Sequence, residues 1–177
     1  MASGGKSKKI LVLPSITTGR AAFAKQAEAV FSACYLEYQY TFVEFFVKHL
    51  TDASVEFDGD LQQMLIVAII GQAKIRAVKA AIEAGQDPGQ AMQTLAGISA
   101  SRLSDITSVP RQTVRRKLAA MRDKGWIEQD PDGLWHIAVK DGEAVVRDDL
   151  GSIDARSLGR IARLYSDLHF IVVSKGK

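Results

Sequence analysis

The chain has 177 residues, 47% of them hydrophobic, which is enough apolar material for a packed core and excludes wholesale disorder. Its formal charge is only +3, yet seven basic and two acidic residues fall between Ser99 and Ile127, so the remainder is slightly acidic. Cys34 is the only cysteine, which excludes an intramolecular disulfide and a cysteine-rich zinc site.

The first segment, residues 1–19, is expected to be a disordered tail. Gly5-Lys6-Ser7 lacks the upstream glycine and the leading strand that a phosphate-binding loop requires. The apolar run Ile10–Leu13 is closed by Pro14 and then Thr17-Thr18-Gly19-Arg20, too short for a leader. The longest apolar run, Met64–Ile70, is far below the roughly 20 residues that cross a bilayer. A soluble, cytoplasmic protein without a membrane partner is expected.

Residues 20–97 read as a helical dimerisation and support region. Between Arg20 and Leu50, Phe23, Ala27, Val30, Phe31, Cys34, Tyr35, Tyr38, Phe42, Phe45 and Phe46 recur at helical spacing with no proline or glycine between them, predicting one long helix or a broken pair. A stripe this aromatic calls for a covering partner. It serves as core or dimer interface, or alternatively as the wall of a small-molecule effector pocket. Cys34, among Ala33, Tyr35 and Leu36, reads as a packing residue rather than a redox sensor. Asp58-Gly59-Asp60 opens a second helix, Leu61–Ala84, that stops at Gly85. Gln86–Gly89 is a turn, and Gln90–Ala96 a short helix.

Residues 98–140 carry the functional pattern. Ser99 caps a short helix that turns Leu103 and Ile106 inward, and Thr107-Ser108-Val109 is a tight connection. Pro110 fits the first turn of the next helix, where its missing N–H costs nothing, and Gly125 ends that helix after a basic last turn. Trp126–Gln129 and Leu134–Val139 are strand-like, joined through Asp130-Pro131-Asp132-Gly133. The order is helix, turn, helix, hairpin. Past a loop near Asp141-Gly142, residues 141–177 form a C-terminal helical dimerisation region, helical from Ser152. Its Arg156, Arg160 and Arg163 are expected to face water.

At 100° per residue, Val114, Leu118 and Met121 share an arc of about 60° and pack inward. Gln112 and Arg116 lie opposite, flanked by Thr113 and Arg115, with Ala119 and Ala120 keeping that face narrow. Arginine can take guanine O6 and N7 together, and glutamine adenine N6 and N7. Arg111, Arg115, Lys117 and the hydroxyls of Ser99, Ser101 and Ser108 suit phosphates, which position without specifying sequence.

Residues 98–137, with Leu and Ile in the first helix, Val before the second, Thr-Val within it and Lys-Gly before the hairpin, resemble the winged helix-turn-helix of bacterial MarR-type regulators. Winged domains of the IclR type share the pattern. The resemblance implies a mainly α fold with a small β-hairpin wing, a winged helix-turn-helix on a helical dimerisation scaffold. It further implies a homodimer on double-stranded DNA, with Arg111, Gln112, Thr113, Arg115 and Arg116 at the DNA. The acidic hairpin tip and the added segment Gly85–Gly97 depart from the family pattern. The acidic tip favours the alternative of a winged helix used for protein–protein interaction. No Ser/His/Asp grouping points to catalysis, and His49, His136 and His169 lack metal-ligand spacing, so neither an enzyme nor a cofactor is expected.

Overall fold

A computed structural model describes residues 16–94 and 96–175, the side chains of 16–18 excepted. The elements run α1 (Ile16–Ala33), α2 (Tyr35–Glu56), α3 (Leu61–Glu83), α4 (Pro88–Ala91), α5 (Ala100–Thr107) and α6 (Arg111–Asp123). Strands β1 (Ile127–Gln129), β2 (Trp135–Ile137), β3 (Val139–Lys140) and β4 (Glu143–Ala144) follow, and then α7 (Val146–Lys175). The protein is mostly helical, and its strands form two small antiparallel pairs, β1 with β2 and β3 with β4. No helix among the described residues is long and apolar enough to cross a membrane. The tail expected over 1–19 lies outside the described residues as far as residue 15, and Ile16 already begins α1.

The chain divides into two compact units, one of residues up to Phe45 and from Ile161, the other of Phe46–Arg160. In the first unit, the backbone carries helical hydrogen bonds across Cys34, whose N–H donates to Val30 O at 2.8 Å while its carbonyl accepts from Tyr38 at 3.1 Å. The aromatic segment is thus a pair of helices with a one-residue break. Ala27, Val30, Ile171 and Val172 are buried, and Tyr38 stacks with Phe31 at 5.0 Å and with Phe42 at 6.1 Å between ring centres. Much of the apolar surface stays open: Leu36 is 81% exposed, Tyr40 71% and Phe170 70%.

The second unit is built around α3. Asp60 caps this helix, its Oδ1 accepting from the Gln63 N–H at 2.9 Å, and Gly85, at φ +89°, follows its C-terminal cap. Ile66, Val67 and Ile70 fall on one stripe of α3 and meet Leu103 of α5, Val114, Leu118 and Met121 of α6, and Trp126, Trp135 and Ile137 of the hairpin. Two short helices and a hairpin cannot close a core alone. For that reason α3 belongs with residues 98–140 rather than with a separate support region.

Three elements differ from the sequence expectation. The short helix lies at Pro88–Ala91 instead of 90–96, because the Asp87 carboxylate accepts from the Gly89 and Gln90 N–H groups and Pro88 fits the first turn. Asp141 and Gly142 both take left-handed φ (+53° and +84°), so the expected loop is a two-residue hairpin joining β3 to β4. Helix α7 starts at Val146, six residues before Ser152, with Asp148 and Asp149 in its first turn, where negative charge meets the positive helix end. Asp149 also accepts a hydrogen bond from the Trp126 indole at 2.5 Å.

Arg156 and Arg163 are exposed as expected and Arg160 is half-buried, but Arg156 and Arg160 are not merely solvated. Arg156 Nε bonds Asp52 Oδ2 at 2.7 Å and Arg160 Nη2 the same oxygen at 2.6 Å, with Glu56 3.7 Å from Arg156. The hydrogen bonds from Arg156 and Arg160 hold the Asp52 carboxyl below its ordinary pKa.

Candidate nucleic-acid interface

The helix–turn–helix is wired by hydroxyls. Ser99 Oγ caps α5 by accepting from the Arg102 N–H at 3.2 Å. At the other end, Thr107 Oγ1 donates to Leu103 O at 2.7 Å and accepts from the Val109 N–H at 3.2 Å, while Ser104 Oγ donates to Val109 O at 2.6 Å. Between them Ser108 sits at φ +57°, a left-handed conformation that sharpens the turn. Pro110 stands at the N-cap of α6 and accepts from Val114 at 3.0 Å. Fully buried Leu103, Val114 and Met121 then lock α5 and α6 together.

With Val114, Leu118 and Met121 inward, the opposite face of α6 is set. Gln112 and Arg116 are exposed there with Arg115 on the flank, and Arg111 is exposed at the first turn; none of the four makes a side-chain hydrogen bond or ion pair with a described residue. Thr113 is half-buried at the edge of this face, and Ala119 and Ala120 leave it narrow. Ser108 is exposed, three residues ahead of Arg111. Ser99 and Ser101 lie at the N-terminal end of α5, away from the turn, with Ser101 exposed and the Ser99 hydroxyl already engaged as a cap. Arg102, absent from the expected contact set, is also exposed on α5.

Lys117 must be corrected. It is not a phosphate-facing residue: its side chain is 9% exposed and its ammonium sits 2.6 and 2.5 Å from the two oxygens of Asp60. The helical angle explains why, since Lys117 lies about 40° from Met121 and 60° from Val114, on the inward flank of α6. Partial burial opposes ionisation of Asp60. The hydrogen bonds from Lys117 and the Gln63 N–H, with the charges of Lys117 and Arg116, outweigh it and lower the carboxyl pKa.

The hairpin after α6 pairs Ile127 with Ile137, Glu128 with His136 and Gln129 with Trp135. Ile98 adds a further rung, exchanging two 2.9 Å hydrogen bonds with Trp135. A close approach makes this possible: a Cβ on Gly97 lies 2.5 Å from Leu134 Cβ, so only glycine fits. At the tip, Asp130 Oδ1 accepts from the Leu134 N–H at 2.8 Å and Gln129 Nε2 donates to Gly133 O at 3.0 Å. One of the two tip carboxylates therefore holds the turn, and of the two aspartates only Asp132 is exposed. His136 is buried, with Nδ1 3.4 Å from Glu128. Among the described residues no group of three His, Cys, Asp or Glu side chains is placed to hold a metal ion.

The sequence reading missed Asp60 as the anchor of α6. No local signal reveals a partner 57 residues away, although the angular position of Lys117 marks its own side chain as inward. No protein-family model, curated protein or solved structure matches this chain.

Proposed function

We propose that this protein is a duplex-DNA-binding transcription regulator of the winged helix-turn-helix kind, a cytoplasmic homodimer that lays α6 in the major groove. The observation that carries this reading is the surface of α6, where Gln112, Arg115 and Arg116 stand exposed beside two alanines and Arg111 stands exposed at the first turn, with no ion pair to a described residue. Exposed cations without a close ion-pair partner, on the second helix of a helix–turn–helix, are what a polyanion requires. Gln112 and Arg116, at the crest, suit base edges; Arg111 and Arg115, on the flank, suit phosphates. The β1–β2 hairpin stands where a wing follows the recognition helix. The MarR-type family reading rests on the sequence resemblance of residues 98–137.

Exposed Leu36, Tyr40, Tyr165 and Phe170 in the first unit support the dimer, because apolar side chains this large and this open call for a covering partner. Two recognition helices would then address half-sites roughly 34–36 Å apart. The protein-interaction alternative is weakened by Asp130, whose carboxylate serves the turn.

Fluorescence anisotropy of the full chain on duplex DNA, across a salt series, tests the reading. Affinity that falls steeply with salt, with a preferred sequence emerging from a random-duplex pool, is the expected result. An absence of binding even at low salt removes it.

A further inference from the structure

The Phe46–Arg160 unit holds a cavity of about 630 Å³ to which no residue of α6 contributes a wall. That volume lies within the range of small-molecule sites, roughly 300–1,000 Å³. Its walls are aliphatic and adaptable: Met64, Val67 and Ile75 from α3, Met92 after α4, and Val146 and Leu150 from α7. Phe57 is the only Phe, Tyr or Trp among the lining residues, with the His49 imidazole the one other ring, so the wall is mainly aliphatic.

One lining charge is unlike the rest. Lys74, half-buried, donates to the carbonyls of Met92 at 2.6 Å and Thr94 at 2.7 Å, and no carboxylate among the described residues pairs with it. An ammonium has three donors, so one remains. The other charged lining residues, Arg147 and Asp154, are exposed, and Arg147 already pairs with Glu143 at 2.9 Å. Burial disfavours the charge on Lys74 and lowers its pKa, a cost that a bound anion would offset.

We infer that this cavity binds a medium-chain aliphatic carboxylate, the chain lying among the methionines and branched side chains and the carboxylate meeting the Lys74 ammonium. Phe57 lines the cavity and packs edge-on against Trp126 at 5.8 Å, and Ile137 of β2 lines it as well. Occupancy is therefore linked to the hairpin that follows α6. An effect on DNA affinity rests on the DNA-binding reading; the binding itself does not.

The test is calorimetric titration of the full chain with decanoate, below its micelle concentration and without DNA, against decanol as the neutral control. One decanoate per chain is expected, preferred over decanol by about tenfold, the order of one charge-assisted hydrogen bond. Lys74→Met should abolish the preference. Gly71 lines the cavity on α3 with nothing within 4 Å of a Cβ there, so Gly71→Leu has room to fill the cavity, removes a helical glycine and should abolish binding. Circular dichroism checks that both variants fold, and Gly71→Leu keeps the test decisive if Lys74→Met does not. Failure of decanoate to bind, or wild-type binding by Gly71→Leu, overturns the site. A decanoate preference retained in Lys74→Met overturns the role of Lys74. Decanoate binding by a protein that ignores DNA would leave this site standing and remove the proposed function; DNA binding without decanoate binding would do the reverse.

Discussion

Lys117, in the middle of the helix with the most exposed arginines, gives its charge to Asp60, the residue that caps the first turn of α3. The pair joins α6 to the element that carries the core. Its removal should therefore be felt in stability and not in DNA contact. Lys117→Met should cost about 1–3 kcal/mol, because the Asp60 carboxylate is left one-third exposed and only partly rehydrated. Asp60→Ala should cost about 2–4 kcal/mol, as it loses the cap as well. A double-mutant cycle by urea unfolding should show the two coupled. A salt slope for DNA reduced by a full contact in Lys117→Met would return that lysine to the interface.

The same pair sets an acid limit. Asp60 has a folded-state pKa below its ordinary value, burial being outweighed by the Lys117 and Gln63 hydrogen bonds. Its stabilisation is thus complete above the unfolded pKa of about 3.9 and is lost as pH falls through the lower folded value. Melting temperatures measured from pH about 6 downward should fall less steeply for Asp60→Asn than for the parent below about pH 4. An unchanged acid limb would show that Asp60 gains nothing from its partners.

On the exposed face, the crest and the flank should separate. Gln112→Ala and Arg116→Ala should each cost about 1–3 kcal/mol on the preferred duplex and relax base preference at one position. Arg115→Ala should weaken all sequences alike and reduce the salt slope by about one. Equal losses on every duplex for Gln112→Ala would take it out of base readout.

Gly97 is a steric requirement rather than a flexible joint. Gly97→Ala should destabilise the protein by about 1–3 kcal/mol, because its methyl meets Leu134 Cβ at 2.5 Å. Leu134→Ala should not rescue it, since that Cβ remains, whereas Leu134→Gly should recover part of the loss. Rescue by Leu134→Ala would place the clash in the longer side chain.

In the first unit, Leu36→Glu and Phe170→Glu alter side chains that are 81% and 70% exposed, and neither should perturb an isolated chain. Both should shift sedimentation from dimer to monomer at micromolar concentration. A wild-type chain that sediments as a monomer removes the dimer from the proposal.

What could be read from the residues was what local physics decides. Asp60 and Gly85 bracket α3, Ser99 caps α5, and Val114, Leu118 and Met121 point inward, each following from capping or periodicity within one element. The β3–β4 hairpin reads only as a loop: the Asp-Gly pair marks a turn, but its two-residue strands carry too little alternation to be seen as strands. Partnerships across the chain were not legible. Arg156 and Arg160 look like solvated charges until α2 supplies Asp52, and Lys117 looks like a phosphate contact until α3 supplies Asp60.

Trp126 and Trp135 are the chain's two tryptophans, and both are buried in the Phe46–Arg160 core, one against Phe57 and the other in the hairpin. Their emission is therefore a private reporter of that unit. Loosening of the α1, α2 and α7 segments in the other unit should pass unseen by tryptophan fluorescence while far-ultraviolet ellipticity falls. The gap between those two melting curves would measure how independently the halves of this molecule come apart.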